Sequence, residues 1–421
     1  MKKDWTRREF LKAGSVAVAG ALAGVPGRVL ADEDGRPIRI GLVGCGSRGT
    51  GAVEDALAAD PNVHVVALAD LFVDRARSCL RYLRTLRLGR ELHPGVRVHE
   101  DRCFVGFEAY RRLLDVPLDV VLLATPPGFR PIHFEAAVAA EKHVFIEKPV
   151  AVDPAGVRRV YLAGEKARER GLSVVAGTQR RHHSGYLETV RRIREGAIGR
   201  ILGARCFWNQ GGLWHRKREA GWSDMEWQVR NWLYFDWLSG DHIVEQHVHN
   251  LDVVNWVLGS VPLRAVGSGG REVRTDPVFG NIYDHFAVDF EYPGGIHVLS
   301  MCRQMEGTDG AVGELVTGTE GRADPGGWID GARPWRFEGE VPNPYVAEHA
   351  ALLASIRRGE PANEARQVAE ATMTAILGRH AAYTGEVVEW DALLASDLDF
   401  SPPRYEFGDL PVRSVPIPGR S

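Results

Sequence analysis

From residue 37 onward, short apolar runs alternate with longer stretches whose apolar residues recur at helical spacing. The runs fall at 38–43, 63–69, 119–124, 143–146 and 173–176, with amphipathic stretches near 51–59, 72–87, 131–140 and 154–170. This alternation predicts βαβ units feeding a parallel sheet. Pro61 and Asn62 break the first helical stretch, and Pro126-Pro127 ends the strand signal before it. Past about residue 200 the texture becomes β-rich, at 201–209, 263–273, 282–292, 296–305 and 315–317. The spacing of Phe286, Val288 and Phe290 predicts strands with one buried face, as in an antiparallel sheet. Two helices follow at 344–358 and 363–384, joined by the turn Arg358-Gly359-Glu360-Pro361. The last stretch, 401–421, carries five prolines and reads as an extended arm or an oligomer contact.

A chain of 421 residues exceeds what one hydrophobic core usually serves, so two domains are expected. With 44% hydrophobic and 25% charged residues, 47 glycines and no low-complexity tract, the composition is that of a soluble α/β protein. The net charge is −3, but the first 31 residues hold a net +4, which leaves the remainder at about −7. Without a clustered basic surface beyond runs such as Arg191-Arg192, no nucleic-acid partner is expected.

Residues 6–12 read Thr-Arg-Arg-Glu-Phe-Leu-Lys, followed by a weakly apolar run to Val25 and a small-residue cleavage site ending at Ala31. The segment 1–31 resembles a twin-arginine export signal. Its 13 apolar residues fall short of the roughly 20 needed to span a bilayer, so the expectation is export to the periplasm or beyond, with no stable membrane span. The five cysteines form no C-x-x-C pair and are odd in number, which suggests neither a zinc site nor a disulfide framework. Free thiols suit a route that carries proteins already folded in a reducing compartment.

Gly44-Cys45-Gly46-Ser47-Arg48-Gly49 sits directly after the first strand run and opens a helix, and Asp70 follows 21 residues after the last glycine. The first glycine permits a tight turn, the second lets the backbone approach a pyrophosphate, and the third allows close helix–strand packing. The helix start at Ser47 and Arg48 offers unpaired N–H groups to phosphates. Asp70 would accept hydrogen bonds from a ribose diol and repel a 2′-phosphate, which favours NAD, while Arg75 nearby keeps NADP open. The expected architecture is therefore a Rossmann α/β domain with a parallel sheet (37–155), followed by an α+β domain with a large, mostly antiparallel open sheet (156–345). Helices at 346–395 are expected to pack back on the first domain, and a tail occupies 396–421.

Glu147-Lys148-Pro149 closes the strand run 143–146 at the carboxyl edge of the sheet, where ligands of open α/β folds collect. The order of glycine loop, Ala124-Thr125-Pro126, Glu-Lys-Pro and a late His-x-x-Asp resembles the glucose-fructose oxidoreductase, inositol dehydrogenase and rhizopine-catabolism family, over essentially 38–391. The resemblance implies NAD(P)-dependent oxidoreduction of a sugar or polyol. It places Thr125, Glu147 and Lys148 at the cofactor, with Lys148 beside the nicotinamide and the substrate hydroxyl. The family's Asp-x-Gly-x-His-x-x-Asp appears here as Glu245-Gln246-His247-Val248-His249-Asn250-Leu251-Asp252, so Glu245 stands for Asp and His247 for Gly. His249 becomes the candidate acid/base, with Glu245 or Asp252 orienting it. On one continuous helix, His242, Glu245, His249 and Asp252 would share a face with the donor types for a divalent metal. Polar active-site helices commonly need none, and no metal is assigned.

Six of eleven tryptophans fall within the 30 residues 208–237, among charged side chains. Aromatic faces stack on sugar rings, so the cluster reads as a carbohydrate pocket or a subunit contact and Trp214 is a candidate substrate contact, with packing as the rival explanation. Arg180, in Arg180-Arg181-His182-His183, is a further substrate candidate near the domain junction. The partners expected are a sugar or polyol and further copies of the chain, a homodimer or homotetramer formed through the exposed sheet face. Outside the cytoplasm no NADH pool exists to be reoxidised, so the cofactor would stay bound and be recycled. A redox-neutral glycosidase meets the same constraint. The reading of another class is a non-catalytic sugar sensor, against which the joint presence of Lys148 and His249 counts.

The export reading predicts that changing Arg7 and Arg8 together to Lys holds the protein in the cytoplasm. Cell fractionation checks this, and an unchanged distribution of the double variant would remove both the export expectation and the reason to expect a recycled cofactor.

Overall fold

The computed structural model describes residues 35–420. The twin-arginine segment lies outside the described residues. The first layer is a six-stranded, wholly parallel sheet of β1 (Ile38–Val43), β2 (Val63–Asp70), β3 (Cys103–Val105), β4 (Val120–Leu123), β5 (His143–Ile146) and β6 (Val174–Ala176). Its spatial order is β3-β2-β1-β4-β5-β6, so the direction of winding reverses between β1 and β4. Helices α1 (Ser47–Ala59), α2 (Val73–Leu83), α3 (Ala109–Leu114), α4 (Arg130–Ala139) and α5 (Pro154–Glu169) connect the strands. The Val-Val-Leu-Leu of β4 is buried throughout, because helices cover both sheet faces. Helix α5 begins where the Asp153 carboxylate accepts the Gly156 N–H at 2.6 Å, with Pro154 pre-set for the first turn.

The chain continues through α6 (Ser184–Arg194), β7 (Ile201–Gln210), α7 (Asp224–Arg230), α8 (Asp236–Ser239), α9 (His242–Glu245) and α10 (Val248–Leu258). It then forms β8 (Arg264–Gly270), β9 (His285–Tyr292), β10 (Ile296–Gln304), β11 (Ala311–Gly318), β12 (Gly321–Asp324), β13 (Trp328–Gly331) and β14 (Trp335–Arg336). Helices α11 (Pro344–Arg358) and α12 (Ala365–Thr384), strand β15 (Val388–Glu389) and helix α13 (Trp390–Ala395) complete the regular structure. The second sheet runs β14-β13-β12-β11-β7-β10-β9-β8-β15, antiparallel at every pairing but β7 with β10. Along β9, Phe286, Val288, Phe290 and Tyr292 are buried. Along β10, Val298, Ser300 and Cys302 point inward while His297, Leu299 and Met301 are exposed. One face is covered by α10 and α12, and the other is open. No helix of the described residues is long and apolar enough to cross a membrane.

The fold class is the expected one, and its differences from the sequence reading have local causes. The strand expected over 263–273 stops at Gly270. The Asp284 carboxylate there gathers the N–H groups of Glu272, Val273 and Arg274 at 2.6–3.1 Å and bends the chain into a turn. The helix expected to reach 87 ends at Leu83, and a small hairpin of Arg87–Leu88 with Glu91–Leu92 follows. Strand β3 was not foreseen, since its three half-buried residues carry no periodicity. Residues 401–420 contain neither helix nor strand and lie against their own chain. The Leu410 N–H reaches Asp224 at 3.1 Å, Arg413 reaches Asp236 at 2.8 Å, and the Pro416 carbonyl accepts the Tyr283 hydroxyl at 2.9 Å.

Candidate functional site

The carboxyl ends of β1, β2, β4 and β5 open into a cleft of about 570 Å³. Its lining runs from the glycine loop and Asp70, past Thr125, Glu147 and Lys148, to Glu245 and His249, with Trp214 on the facing wall.

The three glycines of the loop answer three different constraints. Gly44 has φ of +100°, and a Cβ there would lie 2.6 Å from the Ala124 carbonyl carbon. At Gly49 the added carbon would lie 1.9 Å from the Gly44 carbonyl oxygen, so α1 packs against its own entry loop. Gly46 is extended backbone with nothing within 4 Å of an added carbon. Steric room inside the fold therefore dictates two of the glycines, while the third borders open cleft at a helix start. That is a cradle fitting a pyrophosphate.

Asp70 closes this end of the cleft. Its Oδ2 accepts the Cys45 N–H at 2.7 Å and its Oδ1 the Phe72 N–H at 2.8 Å, and each oxygen keeps a lone pair for a ribose hydroxyl. Burial raises its carboxyl above the ordinary range, against those two donors and the Arg75 guanidinium. Thr125 Oγ1 lies 3.1 Å from His133 Nδ1, and burial pulls that imidazole down to about 3. Arg48 is tied into the wall, with Nε 2.9 Å from Glu147, Nη2 2.8 Å from Asp55 and the guanidinium over the Tyr345 ring.

At the other end, Lys148 Nζ donates to the Glu245 carbonyl at 2.6 Å and lies 3.3 Å from its carboxylate. His249 lies one turn beyond Glu245 and stacks on Trp208 with ring centroids 5.8 Å apart. Burial first, then the Lys148 and Arg180 charges, hold its imidazole neutral well below the usual histidine range. Lys148, Glu245 and His249 thus converge from the first layer's β5 and the second layer's α9 and α10.

The rest of the expected constellation is arranged differently. The segment is two helices, α9 and α10, broken at Gln246-His247, so the expected four-residue face does not form. His242 packs against Phe286, and Asp252 is held by Arg181 through Nε at 2.8 Å and Nη2 at 2.9 Å. Asp252 therefore has no role in orienting His249, and Glu245 holds the lysine. Among the described residues no group of three or more His, Cys, Asp or Glu is placed to hold a metal. Arg180 is bound to the buried carboxylate of Glu314 and does not line the cleft. Of the six clustered tryptophans, Trp214 and Trp232 line it. Trp227 and Trp237 are buried in an aromatic core with Phe72 and Phe129, so the tryptophan density is largely packing. Tyr110, Arg130, Gln179, Arg216, Arg230 and Tyr345 also line the cleft. They sit outside any motif, and only folding brings them together.

Residues 38–176 match the oxidoreductase family with an NAD-binding Rossmann fold, and residues 186–324 match the GFO/IDH/MocA C-terminal domain. The chain belongs to the GFO/IDH/MocA oxidoreductase family. Among curated members, the 2,7-anhydro-N-acetylneuraminate hydratase of Escherichia coli K12 is 30% identical over 181 residues, covering 42% of this chain and 44% of that protein. The inositol 2-dehydrogenase of Acidothermus cellulolyticus is 29% identical over 244 residues, covering 58% and 60%. The chain spans about half the length of the curated relatives it matches. Among solved structures, the aldose-aldose oxidoreductase of Caulobacter crescentus complexed with glycerol aligns with a TM-score of 0.65 at 18% identity, covering 84% of this chain and 100% of that one. A levoglucosan dehydrogenase in complex with NADH and levoglucosan aligns with a TM-score of 0.65 at 16% identity, covering 84% and 99%.

The glycine geometry predicts opposite outcomes for two substitutions in this family member. Gly46→Val keeps the fold and weakens NADH binding by roughly 100-fold or more, about 2.7 kcal/mol. Gly49→Val loses thermal stability in the nucleotide-free protein. Fluorescence titration with NADH and a melting curve read the two effects, and a Gly46→Val variant that binds like the unmodified protein contradicts the assignment.

Proposed function

We propose that the protein transfers hydride between NAD and a carbinol carbon of a sugar or polyol. The observation that carries this reading is the meeting of Lys148, Glu245 and His249 at one end of a cleft whose other end is the glycine cradle and Asp70. When bound there, the dinucleotide supplies the hydride acceptor. The chain's own residues handle the proton. Glu245 holds the Lys148 ammonium through two oxygens, and a substrate hydroxyl near Nζ feels that charge and loses its proton more readily. His249, neutral and with no side-chain hydrogen bond among the described residues, is the group able to accept that proton.

The named relatives support the substrate class: inositol 2-dehydrogenases, an aldose-aldose oxidoreductase and a levoglucosan dehydrogenase. We read the protein as exported through the twin-arginine route, with its cofactor bound and recycled within one catalytic cycle. Homodimer or homotetramer formation through the open face of the second sheet fits the exposed Leu299 and Met301 there. A redox-neutral reaction is the second reading, favoured by the relative named a hydratase, since hydration changes no net oxidation state.

Lys148→Ala and His249→Ala are each expected to lower the single-turnover rate by roughly 100-fold, the usual worth of a positioned acid or base. NAD affinity should change little. Absorbance of the reduced cofactor, followed with a panel of sugars, polyols and glycosides, measures this, and release of water or aglycone without net absorbance change marks the redox-neutral reading. Because His249 stays neutral well below its usual range, oxidation should persist below pH ~6.5 and fall only on further acidification. Two variants as fast as the unmodified protein overturn the assignment.

A further inference from the structure

The cleft wall facing the β2–α2 turn comes from residues 211–240, which lie in sequence beyond β7 yet pack on the first layer. Phe72, two residues past Asp70, belongs to the same apolar cluster as Trp222, Trp227, Trp232 and Trp237. The Arg230 guanidinium lies 3.8 Å from the Phe72 ring centroid and pairs with Asp74 and Glu226. Residues 211–219 contain no helix or strand, but hydrogen bonds fix them at several points. The Gly212 N–H donates to Glu306 at 2.8 Å, and the Leu213 and Trp214 carbonyls accept the Tyr234 hydroxyl at 3.0 and 2.9 Å. The Arg216 N–H donates to Asn231 at 2.7 Å, and the Arg216 carbonyl accepts Trp227 Nε1 at 3.0 Å. The backbone that presents Trp214 and Arg216 to the cleft is therefore a built wall.

Arg216 meets Arg75, from the first turn of α2, across this end of the cleft. Burial, then the charges of Arg75 and Arg230, lower its proton affinity. Its charged neighbours are Arg75 and Asp74 at the start of α2 and Arg230 and Glu219 of its own segment, and Lys148 is not among them. Among the described residues neither the Arg75 nor the Arg216 guanidinium has a hydrogen-bond or ion-pair partner, whereas Arg230 has two. Two unpaired like charges facing one cleft repel each other, and an anion between them turns that cost into attraction.

We propose that residues 211–240 form a cofactor clasp, in which Arg216 on the wall and Arg75 on α2 grip a phosphate on the adenosine side of the dinucleotide. The proposal rests on the reading of the cleft as a dinucleotide site. Such a grip would hold the cofactor through turnover, because one of the two charges that face the phosphate is carried by the second domain and held over the first. The shared chemistry is phosphate, and its source is either the bridging pyrophosphate or a 2′-phosphate.

The test is the dissociation rate of NADH and of NADPH from the full-length protein, followed by stopped-flow fluorescence during a chase with excess oxidised dinucleotide. Arg216→Ala and Arg75→Ala should each speed dissociation by roughly tenfold, while leaving the melting temperature of the nucleotide-free protein unchanged, because neither guanidinium has a partner to lose. Faster release of both nucleotides places the bridging phosphates in the grip. Faster release of NADPH alone places the 2′-phosphate there. Unchanged release of both in both variants overturns the clasp and leaves the dinucleotide reading standing. Failure of the unmodified protein to bind either nucleotide overturns that reading and the clasp together.

Discussion

Helix α12 is the beam on which the site depends, because it touches the elements on both sides of the proposed catalytic constellation at once. Its Thr372 hydroxyl accepts the Val150 N–H at 3.2 Å, two residues beyond Lys148. Its Thr374 hydroxyl accepts from Asn255 of α10 at 2.9 Å, and Arg379 donates to the Gly240 carbonyl at 3.0 Å, just ahead of α9. Fifteen of its twenty residues are buried, and alanine, glycine and threonine make up half of the helix. Small side chains let several elements approach one axis closely, as at Gly378, where an added carbon would lie 2.6 Å from the Phe290 ring. Packing around one helix thus constrains both Lys148 and Glu245.

The entry to α9 shows what that fixed separation costs. Asp241 has φ of +72°, a conformation that side chains other than glycine rarely adopt, at an expense of roughly 1–3 kcal/mol. Its wholly buried carboxylate accepts the His242 N–H at 2.6 Å, the Tyr283 N–H at 2.7 Å and the Tyr383 hydroxyl of α12 at 2.7 Å. Burial nevertheless pushes this carboxyl up to about 6. The strained turn is over-determined from three directions, and it aims α9 so that Glu245 reaches the lysine.

This division of labour also explains what could be read in the sequence. The glycine loop was legible because its spacing is set within one turn, where Gly49 meets the Gly44 carbonyl, although Gly44 itself meets Ala124 just beyond the adjoining strand. The parallel sheet was legible because its strands are buried on both faces and so nearly uniform in hydropathy. The break at Gln246-His247 was not, because partners distant in sequence stabilise it. Gln246 Oε1 accepts from Gln210 at 2.7 Å and Gln304 at 3.0 Å, and His247 lies 2.7 Å from Ser300. Arg180 and Asp252 looked like free functional groups, and only the fold reveals their partners, Glu314 and Arg181. The tryptophan-rich segment pointed to a sugar pocket, although most of it packs against Phe72 and Phe129 of the first layer.

The electrostatics of the reacting end impose a compromise. A histidine neutral well below its usual range is always ready to take a proton, but the burial and cations that keep it neutral also make it a weak base. Placed alone beside an alcohol, such a base would abstract a proton poorly. In the proposed reaction the Lys148 ammonium would shift the balance by acting on the other partner: a positive charge within hydrogen-bond reach lowers the proton affinity of the alcohol oxygen as well as that of the imidazole. Since the alkoxide carries a full charge on one atom and the imidazolium spreads its charge over a ring, the nearer group gains more. Glu245 tempers the same charge with its carboxylate 3.3 Å from Nζ. An aspartate at this position would keep the backbone carbonyl that accepts from Lys148 at 2.6 Å but would draw its carboxylate one methylene back, so the longer glutamate arm adds a second oxygen to the hold on the ammonium while its neighbour His249 is left free.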